Sequence, residues 1–240
     1  MRLLAVALFG CLLWSQTVWT DLFDGKSFAG WKTPFITKVA DGWEIADGAL
    51  HPVAVTRRTD LWTSGTYRNF VLDFEFKVAP HANGGIKYLV QQGLAMRRRG
   101  NKWMMANESA EEPSDWYVEG SLGLEFQILD DGDDEAKDPK RRAGSLYGLV
   151  APKDPPPIGP GEFHKGRIVV NGDRIEHYLE GRKVVDVVIG SPELEAAFAE
   201  RKDRFFIKEL QALKKRETVI AITHHDTSVW YRNVRVQRLP

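Results

Sequence analysis

The sequence predicts an all-β fold: a two-sheet sandwich of jelly-roll type with one or two short helices near the C-terminus. Three observations lead there. About a dozen short segments alternate apolar with polar residues, the period of strands that bury one face. Turn dipeptides punctuate them, among them Asp47-Gly48, Asn171-Gly172 and Glu180-Gly181. Helical spacing begins only at Ser191-Pro192, and many strands with few helices settle into two packed sheets.

The first segment stands apart from that fold. Arg2 gives a short positive start and Leu3 to Trp14 is almost wholly apolar, a length that suits a signal-peptide core better than a membrane span. Residues 1–20 are expected to be a signal peptide cut near Thr20. Residues 21–240 then form a single exported domain, secreted or periplasmic, without a membrane span. The sole cysteine, Cys11, falls inside the leader. Lipoprotein anchoring through Cys11 ranks second, because the apolar run continues past it. Without Cys11 the mature chain can form no disulfide and use no thiol catalyst.

After a compact opening at Leu22–Lys26 and Gly30-Trp31-Lys32, Trp43-Glu44-Ile45 and Ala49-Leu50-His51 flank an Asp-Gly turn as a hairpin. Asp60-Leu61-Trp62-Thr63 is a short strand. The clearest strand runs from Val71 to Val78, where Leu72, Phe74, Phe76 and Val78 alternate with Asp73, Glu75 and Lys77. Asn83-Gly84-Gly85 leads into another, Ile86 to Val90. Gln91 to Gly120 is polar, irregular and rich in Trp and Met, and is expected to be a long functional loop.

In Gly123–Leu129, Leu124, Phe126 and Ile128 alternate with Glu125 and Gln127. If the oily side meets a core, a carboxylate and a carboxamide stand together on the other face. A charged loop follows from Asp130 to Arg142, and the proline-rich Pro152–Pro160 is neither helix nor central strand. Arg167 to Val188 reads as a three-strand meander. Ser191 caps a helix with Pro192 at its first position and Leu194, Ala197 and Phe198 on one face. A second helix is expected at Phe206–Arg216. Strands at Val219–Thr223 and Val229–Gln237 close the domain.

Thirty-three basic residues balance thirty-three acidic ones across 240 residues, so no net field favours nucleic acid or an anionic membrane. With 43% hydrophobic and 28% charged residues the chain is globular. No Gly-rich phosphate loop, nucleophile elbow or His-Glu-x-x-His motif is present, which argues against nucleotide, serine-hydrolase and zincin chemistry.

Among residues outside the strand cores, Trp103 and Trp116 lie in the long polar segment, where an indole face can stack on a sugar ring. Trp31, Trp43 and Trp230 are most simply core. Tyr88 and Tyr147 can offer hydroxyls. Asp130 and Asp131 can hold a hard divalent cation, although acidic turns are commonly just solvated. His225 keeps a neutral imidazole near pH 7, and strand alternation sends His224 to the opposite face.

Several stretches together resemble the 3-keto-disaccharide hydrolase domain family, long catalogued only as a domain of unknown function. They are Leu22-Phe23-Asp24-Gly25-Lys26 with Gly30-Trp31, Trp43 to Leu50, Asn69 to Phe76, and Asn83-Gly84-Gly85-Ile86-Lys87-Tyr88. Gly123 to Asp131, Gly144 to Leu149 and Val229-Trp230-Tyr231-Arg232-Asn233-Val234 complete the set. The resemblance implies a concanavalin-like β-sandwich that meets a carbohydrate. Three departures stand out. The family's closing Leu-Gln-Asp-His-Gly is Ile222-Thr223-His224-His225-Asp226 here, which keeps His225. Asp133-Asp134-Glu135 stands where members often carry His-Pro, and Gly161-Glu162-Phe163-His164 replaces Gly-Glu-Trp-Asn.

The resemblance implies cleavage of a glycoside whose sugar is already a ketone at carbon 3. The ketone acidifies the C2–H; a base removes that proton, the C1 substituent leaves by β-elimination, and water adds to the enone. Such a site needs a base near C2, a cation or donor at the enolate oxygen, and an acid for the leaving oxygen. Glu125 is the expected base or metal ligand, Gln127 orients substrate, Lys87 faces the enolate oxygen, and His225 is acid or ligand. A more ordinary role for Lys87 is a charge pair with Glu125 or Glu75. Tyr88, Trp103, Trp116, Asp130 and Tyr147 are the expected substrate-binding residues. The metal is unassigned, and an oxidoreductase partner would supply the oxidised sugar. The alternatives are a non-catalytic carbohydrate-binding module of the same fold and a purely structural or adhesive sandwich.

Overall fold

The computed structural model describes residues 18–35, 39, 41–55, 57–99, 102–105, 116–201 and 207–240, without the side chains of 57, 97–99, 102–105 and 116–119. Strands β1 (Trp19–Asp21), β2 (Trp31–Lys32), β3 (Trp43–Ala46), β4 (Ala49–Pro52), β5 (Arg57–Thr59) and β6 (Leu61–Thr63) come first. Then follow β7 (Phe70–Val78), β8 (Asn83–Arg99), β9 (Lys102–Met105), β10 (Trp116–Leu129), β11 (His164–Asn171), β12 (Arg174–Leu179) and β13 (Arg182–Val188). Helices α1 (Pro192–Glu200) and α2 (Ile207–Ala212) precede β14 (Ala221–Ile222) and β15 (Val229–Arg238).

Two sheets result. One has the order β13-β12-β11-β7-β15-β4-β3 with β1 on β15; the other runs β2-β6-β14-β8-β10-β5 with β9 on β8. Pairing is antiparallel except where β5 lies parallel to β10. The core sits between the sheets, and the alternation of β7 is complete: Phe70, Leu72, Phe74, Phe76 and Val78 are buried while the residues between them are half-buried. Across the gap, Phe74 meets Phe126 edge-to-face with ring centroids 5.2 Å apart, the arrangement aromatic quadrupoles prefer. The Asp47-Gly48 turn joins β3 to β4 with both residues at positive φ (51° and 74°), as a tight hairpin turn demands. Ser191 caps α1, its hydroxyl accepting from the Leu194 N–H.

Four expectations need correction. Most of Gln91–Gly120 is not a loop. β8 runs on to Arg99, and β10 begins at Trp116, paired from Trp116↔Arg98 to Leu129↔Asn83. Backbone pairing builds this antiparallel pair although its sequence lacks clean alternation. Trp230 is not core: it lies on the outer face of the first sheet, stacked on His51 at 4.5 Å with the Lys77 ammonium 4.3 Å from its ring. The second helix is shorter than its pattern, Ile207–Ala212, residues 202–206 lying outside the described set. Finally, β1 pairs Trp19 with Gln237 and Thr20 with Val236, so the strand pattern starts upstream of Asp21.

Candidate active site

The middle of the second sheet positions the candidate residues. Lys87 on β8 lies directly opposite Glu125 on β10 and opposite Ala221 on β14. The Glu125 carbonyl accepts from the Tyr147 N–H at 3.0 Å, on the side away from β8. Glu125 and Lys87 are thus a non-hydrogen-bonded pair, the kind in which facing Cα atoms approach to about 4.5 Å. The core side of these strands belongs to Ile86, Tyr88, Leu124, Phe126 and Ile128, all buried, which forces Lys87, Glu125 and Gln127 onto the outer face.

On that face Glu125, Lys87, Gln127, His225, Asn83 and Tyr147 line one cavity of about 240 Å³. Leu94, Met96 and Leu122 give it an apolar wall. Glu125 and Gln127 are almost fully buried at its floor, whereas His225 is exposed at its rim. Gly85 makes room for Glu125: a β-carbon there would run into the Glu125 carboxylate. The Gln127 carboxamide donates to Asn83 Oδ1 at 3.2 Å. Tyr147 is held beside β10 because Ser145 and Gly144 continue the backbone bonding to Gln127 on that edge.

The electrostatics are coupled. Lys87 Nζ lies 3.9 Å from Asp60 Oδ2, so the ordinary role foreseen for this lysine goes to Asp60, while Glu75 pairs with Arg232 on the other sheet. Burial pushes the Asp60 carboxyl up, Lys87 pulls it back down, and the Glu125 charge raises it. The His225 imidazole is pushed down to about 4, above all by desolvation; Lys87 and Arg58 add to this and Glu125 opposes it. The ring meets solvent at the rim, and the downward shift leaves His225 neutral at pH 7.

Other expected site residues lie elsewhere. Tyr88 points into the core and donates its hydroxyl to His177 Nε2 at 2.8 Å, because a strand neighbour of outward-facing Lys87 must face inward. Asp130 is buried at the end of β10, accepting from the N–H groups of His81 and Gly132. Asp131 accepts from the Ile158 N–H and pairs with Arg142. These are turn-forming contacts, and the carboxylates are already occupied. Trp103 and Trp116 belong to β9 and β10, but their side chains lie outside the described residues. His224 faces away from the cavity, with Nε2 3.0 Å from the carbonyls of Gly42 and Val53 and its ring edge-on to Trp43. Among the described residues, no group of three His, Cys, Asp or Glu side chains could hold a metal ion. The described lining of the cavity offers one carboxylate, Glu125, and one imidazole, His225, beside the carboxamides of Asn83 and Gln127.

Sequence reasoning missed Asp60 and Asn83. Asn83 directly precedes the paired glycines, and Asp60 stands two residues from Trp62; neither spacing signals a site unless the strand order is known. A larger cavity, about 550 Å³, lies on the outer face of the first sheet, among Asp73, Glu75, Arg167 and Arg235. Arg167 and Arg235 pair there with Asp73, and Glu75 pairs with Arg232; its described lining contains no histidine.

The chain is similar to known proteins along most of its length. A family described as the 3-keto-alpha-glucoside-1,2-lyase-like domain matches residues 18–237. A 3-keto-disaccharide hydrolase of Bacteroides thetaiotaomicron is 28% identical, over 91% of this chain and 77% of its own length. Among solved structures, a Parabacteroides distasonis protein provisionally described as a glycosyl hydrolase superposes with a TM-score of 0.72 at 22% identity, covering 92% of this chain and 94% of its own. A Bacillus subtilis protein of unknown function with a galectin-like fold gives 0.54 at 11% identity, covering 92% and 94%. Both structural likenesses confirm the sandwich.

Proposed function

Because the chain belongs to the family of 3-keto-alpha-glucoside-1,2-lyase-like domains, we propose that it is an enzyme cleaving 3-keto-glycosides at the cavity between Lys87 and Glu125. The observation that carries this reading is their facing pair, set in one hollow with Gln127 and His225. Elimination from a 3-keto sugar needs a base and a cation on opposite sides of one small group of atoms, and neighbouring strands supply that spacing.

Glu125 removes the C2 proton, and the negative charge moves to the C3 oxygen, where the Lys87 ammonium and the Gln127 carboxamide stabilise it. The C1–O bond then breaks, and the carboxylic acid that Glu125 has become protonates the departing oxygen. Neutral His225 suits the second half better than the acid role the resemblance implied. It takes a proton from the water that adds at C1 and returns it to C2. Protons balance: one passes from C2 to the leaving oxygen, one from water to C2. No step needs a metal.

Export and supply of substrate belong to the same proposal. The apolar run Leu3–Trp14 acts as a secretion leader, and cleavage upstream of Trp19 would preserve β1. A separate oxidoreductase supplies the 3-keto group. Among the described residues no helix is long and apolar enough to cross a membrane.

The test is incubation with a 3-keto-disaccharide and its unoxidised parent, with and without chelator, following released monosaccharide. Cleavage confined to the oxidised sugar, indifferent to chelator and abolished by Glu125→Gln, is expected. Saturable binding without release would instead make this a carbohydrate-binding module. Loss of activity with chelator would overturn the metal-free scheme.

A further inference from the structure

Asp60 is a carboxylate with no access to the cavity. It is 3% exposed, and its oxygens are directed at protein groups. Oδ2 accepts from the Ser121 hydroxyl at 2.8 Å and stands 3.9 Å from Lys87 Nζ, and Oδ1 accepts from the His224 N–H at 3.2 Å. The Ser121 hydroxyl is fixed in turn by the Trp62 indole N–H at 2.6 Å. Three elements therefore converge on this one side chain: the β5–β6 junction that carries it, β10 through Ser121, and the segment after β14 through His224. A buried carboxylate costs several kcal/mol unless it is paired, and Lys87 is the cation placed to offset it.

We propose that Asp60 is a positioning residue that acts through Lys87, anchoring the ammonium at the cavity floor without touching substrate. The geometry separates this role from that of a second catalytic carboxylate. Lys87 lines the cavity and Asp60 does not, so Asp60 meets the reaction only through the lysine. An ammonium on a four-carbon stem is mobile, and it stabilises developing charge well only when its position is fixed beforehand. The hydrogen bonds from Ser121 and His224 fix the carboxylate, and the carboxylate fixes Lys87. Burial raises the Asp60 carboxyl on balance, and Lys87 is the strongest of the groups that oppose that rise.

This inference rests on the reading of the cavity as a 3-keto-glycoside site, so its test has an arm that needs no activity. Asp60→Asn, Lys87→Met and the double variant are assayed in the full chain on a 3-keto-disaccharide. Each single change is expected to lower kcat by about tenfold or more with KM within about threefold. The double variant is expected to be no slower than Lys87→Met alone, because a residue acting through another has nothing left to act on. Effects that multiply would overturn the proposal. If Asp60→Asn does not fold, Ser121→Ala takes its place, with a smaller loss that also vanishes in the Lys87→Met background. The second arm follows the Asp60 carboxyl by carbon-13 NMR during a pH titration. Its midpoint is expected to rise in Lys87→Met, and an unchanged midpoint would overturn the coupling. A wild-type chain that leaves the oxidised sugar intact defeats the functional reading, while the titration still decides whether Asp60 and Lys87 are coupled.

Discussion

Tyr88 donates its hydroxyl to Nε2 of His177, and Nδ1 of the same ring lies 3.0 Å from the Gly144 carbonyl. Because burial keeps the ring neutral at pH 7 and Nδ1 donates to the carbonyl, Nε2 is left to accept from the hydroxyl. Both residues are 0% exposed. Burial pushes His177 down to about 4 from an ordinary 6.5.

The pH dependence of stability follows from that shift. Between pH 6.5 and about 4 the unfolded chain protonates this imidazole and the folded chain does not, so stability is intact above 6.5 and falls as pH drops through the window. The contribution is on the order of 3 kcal/mol at most. Urea unfolding at pH 7 and pH 4.5 should show a smaller loss for His177→Gln than for wild type. Equal losses would mean that His177 does not titrate this way.

Gly84 and Gly85 offer a paired test, because adjacent strand residues face opposite sides. A β-carbon at Gly85 would strike the Glu125 carboxylate, whereas one at Gly84 would strike the Tyr231 hydroxyl in the core. Gly85→Ala should displace Glu125 and lower kcat/KM by about tenfold or more. Gly84→Ala should mainly cost stability, about 1–3 kcal/mol. Melting temperatures and kinetics of the two variants, measured side by side, check the contrast; equal kinetic losses would contradict it.

Gly166 shows the same economy in the first sheet. It lies on β11 opposite Phe74, whose ring occupies the space a β-carbon would need. Gly166→Ala is expected to destabilise by about 1–3 kcal/mol through overpacking, and Phe74→Leu in that background should recover part of the loss. Additive losses in the double variant, read by denaturant unfolding, would show that the two do not share that space.

Legibility in the sequence followed locality. β7 announced itself because its five apolar residues face one continuous core, and α1 did so because Ser191 and Pro192 mark its start. The facing of Glu125 and Gln127 was equally plain from alternation. What alternation cannot supply is which strands are neighbours. Asp60 reaches Lys87 only because β6 and β8 both pair with β14, a relation spanning most of the chain. Tyr88 was misplaced although it follows Lys87, since its hydroxyl suggested water when a buried histidine was waiting for it. The arm of β8 and β10 was hidden because no apolar stripe marks it.

His225 gives the sharpest check on the chemistry of the hollow. Desolvation lowers its imidazole, Lys87 and Arg58 lower it further, and Glu125 raises it. A histidine lowered in this way stays neutral from pH 8 to below 6.5 and gains a proton only as pH falls through its displaced value. If neutral His225 accepts a proton from water, kcat/KM should stay level across that range and fall below it. Imidazole proton NMR should place the His225 midpoint below 6.5 in the wild type. Lys87→Met removes a neighbouring positive charge and should move that midpoint up, while Glu125→Gln removes a negative one and should move it down. Opposite shifts from two residues that face each other across β8 and β10 can arise only if both fields converge on this ring; shifts of the same sign, or none, would place His225 outside their reach and take it out of the mechanism.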